Sequence, residues 1–209
     1  PGSHGGWRQG REFGAYAVNA FPMYFNGIEW PVHGGGTTVI SSDDEERKRF
    51  SRLPEHLQRW PGLYVRDGGR IVDASPRDSA VARGYPQFRD KGPLADGRRI
   101  TLLTESTTHR LGDEVRVIHV VEFTEPGYQA YIVGPKTVYG EYADDVLVTA
   151  PPPDDVWEPA TYNGPILPSP AVDYNYDITA YRFDQVGAHR IQWCIGTLCS
   201  NVLTIEVIP

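Results

Sequence analysis

Apolar and polar residues change character near residue 98, and the second half of the chain carries the clearer pattern. Over residues 115–123, Val115, Val117, Val121 and Phe123 share one parity, and His119 falls among them. A run this apolar, with period-two alternation, predicts a long strand. Residues 100–103, 128–133, 178–183, 189–194 and 202–207 read as further strands. Leu111-Gly112-Asp113 and Pro126-Gly127 mark turns between them. Residues 149–170 contain seven prolines and predict a long connection with polyproline character.

The first half reads differently. Residues 5–42 are rich in aromatics and glycine, with short extended pieces at 21–25, 28–32 and 37–41 broken by Gly27 and Gly34-Gly36. Ser42 followed by Asp43–Glu46 predicts a helix N-terminus, because a serine cap and first-turn acids satisfy the free amides there. A second short helix is expected from Pro54 to Pro61-Gly62. Residues 63–72 predict a hairpin bent at Asp67-Gly68-Gly69, and residues 73–97 a loop. Six or so short strands joined by turns imply an all-β sandwich over residues 98–209, with the loop-rich part 5–97 carrying a short helix and packed on that core. Gly2-Ser3-His4 has the look of a tag remnant, so residues 1–4 are left out of the fold reading.

Three segments carry a resemblance. Leu111-Gly112-Asp113-Glu114-Val115 before an apolar strand, the stretch from Tyr181 to Trp193, and Ser200-Asn201 followed by Leu203, Ile205 and Val207 are similar to the opening strands, penultimate hairpin and last strand of bacterial immunoglobulin-like domains. The resemblance covers roughly half the chain and implies an antiparallel immunoglobulin-like β-sandwich. It implies little about function, since such domains serve many roles. No cysteine pair links the second and sixth strands as in antibody domains.

Composition narrows the possibilities. With 209 residues the chain buries a substantial core without needing a metal. The net charge of −7 argues against a broad nucleic-acid footprint. No run of 18 apolar residues spans a membrane. The basic residues are 17 Arg and 3 Lys, a bias that points to a GC-rich bacterial genome, and a secreted or periplasmic location is expected.

Candidate chemistry is scattered. Cys194 and Cys199 flank Ile195-Gly196-Thr197-Leu198; a two-residue hairpin loop would set them opposite each other, either as a disulfide or as two free thiols. Keeping Ile191 and Trp193 on one face with Leu203 and Ile205 then needs a one-residue shift, which a bulge at Ser200-Asn201 would supply. His119, His189 and Glu122 are the candidate metal ligands, although Glu122 has the opposite parity to His119. A blue-copper site is excluded, because no histidine follows either cysteine and the sole Met is Met23. His33-Gly34-Gly35-Gly36 is similar to an esterase oxyanion segment, but no Gly-x-Ser-x-Gly accompanies it. Asp173, Asn175 and Asp177 have the alternate spacing of a calcium loop without its glycine; otherwise Tyr174 and Tyr176 pack and the acids face water.

The reading these features support is an exported bacterial binding or accessory protein that recognises a glycan or protein ligand through loops, with Trp30, His33, Tyr139, Tyr142 and Tyr174 as candidate contacts. No cofactor beyond a metal ion is implied. A metal-assisted or carbohydrate-active enzyme with its site between the two parts, and a structural or assembly module, are the alternatives.

Overall fold

The computed structural model describes residues 37–38, 53–131, 134–157 and 162–209. In chain order the strands are β1 (Thr37–Thr38), β2 (Arg59–Trp60), β3 (Tyr64–Asp67), β4 (Arg70–Asp73), β5 (Arg98–Leu103), β6 (Thr108–Arg110), β7 (Val115–Phe123) and β8 (Gln129–Tyr131). Then follow β9 (Glu141–Ala143), β10 (Val146–Leu147), β11 (Ile166–Pro168), β12 (Ala171–Asp173), β13 (Thr179–Tyr181), β14 (Gly187–Ile195), β15 (Leu198–Cys199) and β16 (Leu203–Ile208). One α-helix, α1 (Pro76–Arg83), and 3-10 turns at Glu55–Leu57 and Tyr85–Gln87 complete the described elements. The chain is all-β with one short helix among the described residues. The helix expected after Ser42 lies outside them.

Two sheets build the body. In the first the order is β10-β9-β14-β16-β6, with β15 also on β14; β6 runs parallel to β16 and the other pairs are antiparallel. In the second, β5 lies along one edge of β7, while β12 and β13 share the other edge, end to end. Ile100, Leu102, Val117 and Val121 of the second sheet meet Ile191, Trp193, Leu203 and Ile205 of the first in one apolar cluster.

β7 is buried on both faces. Its other parity, Ile118 and Val120, joins Leu57, Trp60, Leu63, Ala82, Tyr85 and Tyr174 in a second cluster. Residues before 98 thus cover the outer face of the β7 sheet. A strand covered on both sides reads as a continuous apolar run, which is what residues 115–123 display.

Local chemistry explains the elements. Gly68 and Gly69 adopt φ of 52° and 81°, the conformation a two-residue turn between β3 and β4 demands. The segment read as a loop contains α1 instead. The Ser75 hydroxyl accepts the Asp78 amide at 3.1 Å and donates to its carboxylate, and Pro76 occupies the first helical position. The Asp78 carboxylate also takes two 2.9 Å bonds from Arg116 of β7, which ties the helix to the sheet. The proline-rich connection likewise contains a short strand, β11 on β8, and runs directly into β12 on β7.

β14 pairs Cys194 with Cys199 but Ile191 with Leu203, a one-residue offset absorbed at Ser200-Asn201. There the Ser200 hydroxyl accepts the Trp193 amide at 3.0 Å. The Asn201 side chain accepts the Leu102 amide at 2.8 Å and donates to the Leu102 carbonyl at 3.1 Å, standing in for a neighbouring strand on the edge of β5.

Candidate functional site

Several polar side chains converge on open space where the N-terminal layer meets the β7 sheet. An open cleft of about 810 Å³ has the Glu55–Leu57 turn on one side and Lys91, Leu94 and Pro170 on another. Glu122, 3% exposed, lies at its floor. β7 ends in Val-Val-Glu-Phe, so alternation sends Glu122 to the outer face with Ile118 and Val120. Directly opposite on β5 stands Arg99, a cross-strand pair of unlike charge.

Four groups surround the Glu122 carboxylate. His56 Nε2 lies 2.9 Å from Oε1, and the Tyr85 hydroxyl donates to Oε2 at 2.7 Å. Arg99 Nε and Lys91 Nζ lie 3.4 and 3.8 Å from Oε2. Burial alone would push the Glu122 carboxyl up; the hydrogen bonds from His56 and Tyr85 and the charges of Lys91 and Arg99 outweigh it and hold the group below the usual carboxylate range. Burial acts on Lys91 too and lowers its ammonium below the ordinary value, with Glu122 opposing. Burial, then the Glu122 charge, pushes the Tyr85 hydroxyl far up, so Tyr85 stays a proton donor. Arg99 Nε is buried without a hydrogen-bond partner. Arg59 lines the cleft as well, ion-paired with the exposed Glu55. Among the described residues, three basic side chains and an imidazole therefore line the cleft with two carboxylates, an excess of basic groups on an otherwise acidic protein.

The candidate metal ligands are not brought together. His119 lies on the inner face of β7, fully buried, 2.8 Å from Glu141 and edge-on to Trp193 at 5.0 Å. Burial would raise the Glu141 carboxyl, but the charge and hydrogen bond of His119, with Tyr181 and Thr179, bring it below the usual range. His189 is half-buried on β14, 2.7 Å from Asp144 and stacked on Phe183 at 4.1 Å. Glu122 is on the far side of the β7 sheet from both. Alternation is the reason: neighbours 119 and 122 differ in parity and so face different layers. Among the described residues no group of three or more His, Cys, Asp or Glu is placed to hold a metal ion.

The aromatic candidates also separate. Tyr174 is buried, edge-on to Trp60 at 5.2 Å and Tyr85 at 5.9 Å, so it packs the second cluster. The Tyr139 carbonyl accepts the Trp193 indole at 2.7 Å. Tyr142 lines a shallow groove beside Arg190, Gln192 and the Cys194–Cys199 pair, whose sulfurs lie 2.09 Å apart at disulfide distance. Trp30 and His33 lie outside the described residues. The calcium-like spacing is also corrected: Asp173 is buried and ion-paired with Lys136 rather than facing water.

His56, Tyr85, Lys91 and Arg99 were not singled out by sequence. One signal pointed toward them: a lone acid inside an apolar strand demands a buried partner, and the arginines that open β5 are the nearest cations in register. The chain matches no protein-family model, no curated protein and no solved structure.

Proposed function

We propose that this is a binding protein that takes an anionic ligand, a carboxylate-bearing group, in the cleft above Glu122. The single observation that carries the reading is the convergence of Lys91, Arg99 and His56 around one buried carboxylate in an open cleft that Arg59 also lines. Part of the cationic potential is offset by Glu122; the remainder, carried by Arg59, Lys91 and Arg99 along the cleft, is available to a second carboxylate. Two facing sheets are compatible with an immunoglobulin-like sandwich, and the cysteine pair is compatible with an exported bacterial protein. In this reading recognition sits on the outer face of one sheet, under the N-terminal layer, rather than on end loops.

Calorimetric titration with a uronic-acid disaccharide, its neutral counterpart, an acidic peptide and its amidated form tests this and distinguishes a glycan source from a peptide source. The expected result is saturable binding of at least one carboxylated probe and none of its neutral twin. Arg99→Gln should weaken it about tenfold, and Glu122→Gln, which frees the cations, should strengthen it. Equal binding of charged and neutral probes, or binding of none, would overturn the reading.

One observation favours an enzyme as the second reading: Glu122 holds the His56 ring at 2.9 Å, the arrangement in which a carboxylate orients an imidazole base. Turnover of a substrate, lost in His56→Gln while binding persists, would select it.

A further inference from the structure

Lys136 and Asp173 form an ion pair in which both residues are nearly sealed, at 5% and 6% exposure. The Lys136 ammonium sits 4.6 Å from the Tyr131 ring and 4.8 Å from the Tyr176 ring. Desolvating a carboxylate and an ammonium together is costly, and their attraction repays it only with full hydrogen bonding. Among the described residues the partners are few. Asp173 Oδ2 contacts the ammonium, and Oδ1 accepts the Asn175 amide at 2.8 Å. The ammonium has one further acceptor among them, the Tyr131 carbonyl at 3.1 Å.

That set of partners fits a different species. A secondary amide has one N–H and one carbonyl oxygen, and the site offers one carbonyl for the first and one backbone amide for the second. We propose that Lys136 and Asp173 condense to an intramolecular amide bond, which staples the segment after β8 to β12.

The step balances within the pair. The ammonium gives a proton to Oδ2, leaving a neutral amine and a neutral carboxylic acid. The amine nitrogen attacks Cγ, and the charge that develops on Oδ1 faces the Asn175 N–H, which acts as an oxyanion donor. A second proton passes from nitrogen to Oδ2, the Cγ–Oδ2 bond breaks, and one water leaves. Nothing is oxidised or reduced. The backbone holds the reactants together throughout: the Lys136 amide donates to the Asn175 carbonyl at 2.9 Å and the Asp177 amide to the Lys136 carbonyl at 2.8 Å. Proximity fixed in this way converts a bimolecular condensation into an intramolecular one. Burial, then the Asp173 charge, pushes the Tyr131 hydroxyl up to about 12, consistent with a site that disfavours added charge.

Intact-mass spectrometry of the reduced full-length chain tests the bond directly. The expected mass is one water below that of the sequence, with trypsin failing to cut after Lys136 and the peptides bearing residues 136 and 173 recovered as one branched species. Lys136→Arg, which keeps the cation and the pair, should restore the sequence mass. A wild-type mass equal to the sequence, with separate peptides, overturns the proposal. So does a water deficit that persists in Lys136→Arg, since dehydration at Asp67-Gly68 or Asp96-Gly97 would then account for it.

Discussion

Gly92 shows how little room the structure leaves where its layers meet. A methyl group there would lie 2.0 Å from the Ile100 carbonyl oxygen and 3.1 Å from both the Asn201 nitrogen and the Ser200 Cα, all backbone. The Gly92 amide in turn donates to the Thr101 hydroxyl at 3.2 Å. A flexible side chain could retreat from such a contact; a strand edge and a bulge cannot. Gly92→Ala should therefore destabilise the protein by about 3 kcal/mol, the upper range for overpacking, as read from urea denaturation midpoints. An unchanged midpoint would mean that the segment before β5 moves freely. Asn201 belongs to the same contact. Its amide group completes the hydrogen bonds of Leu102, so the bulge that reconciles two strand registers also closes the edge of the opposite sheet.

Among elements, α1 departs most from the sequence reading, and its signals were local ones. Ser75, Pro76 and Asp78 stand at the cap, first and third helical positions. Their weight was hidden because the helix is only eight residues long and its moment is weak, so no apolar stripe announced it. Burial would raise the Asp78 carboxyl, yet the hydrogen bonds from Arg116 and Ser75 bring it below the usual range. Ser75→Ala removes the cap and one of those bonds. It should cost about 1 kcal/mol, seen as a lower denaturation midpoint with an unchanged slope. β7 was legible in full, from Val115 to Phe123, because a strand covered on both faces needs an unbroken apolar run. Short strands such as β6, β9 and β10 were not legible. Two or three residues carry no periodicity, and their pairing is decided by the neighbour they meet.

At the scale of the molecule, three layers share β7, and its alternation delivers His119 to one interface and Glu122 to the other. Glu122 makes the outer interface sensitive to pH. Its carboxyl is held below the ordinary value in the folded state, so the unfolded chain binds the proton more readily. The stability it contributes is therefore complete above the unfolded value of about 4.3 and is lost as the pH falls through the lower folded one. Glu122→Gln should reduce stability at neutral pH by about 2 kcal/mol, the scale of hydrogen bonds to a charged group. The gap between wild type and variant should close as the pH drops below about 4. Urea unfolding of both proteins across that range would read the difference directly, and a gap independent of pH would show that Glu122 is not anionic in the folded protein.

The long strands β5, β7, β14 and β16, the β3–β4 hairpin and the two-residue loop that sets Cys194 opposite Cys199 were determined by the sequence alone, because period-two alternation and turn chemistry act over a few residues. The cleft was decided only by the tertiary structure. His56, Tyr85, Lys91, Arg99 and Glu122 come from five separate stretches of chain, and no local pattern encodes their meeting. The same holds for Lys136 and Asp173, which share a cage only because β12 and the segment after β8 pack together. Burial of a charge is a property of the layers that close around it, and those layers exist only in the folded chain.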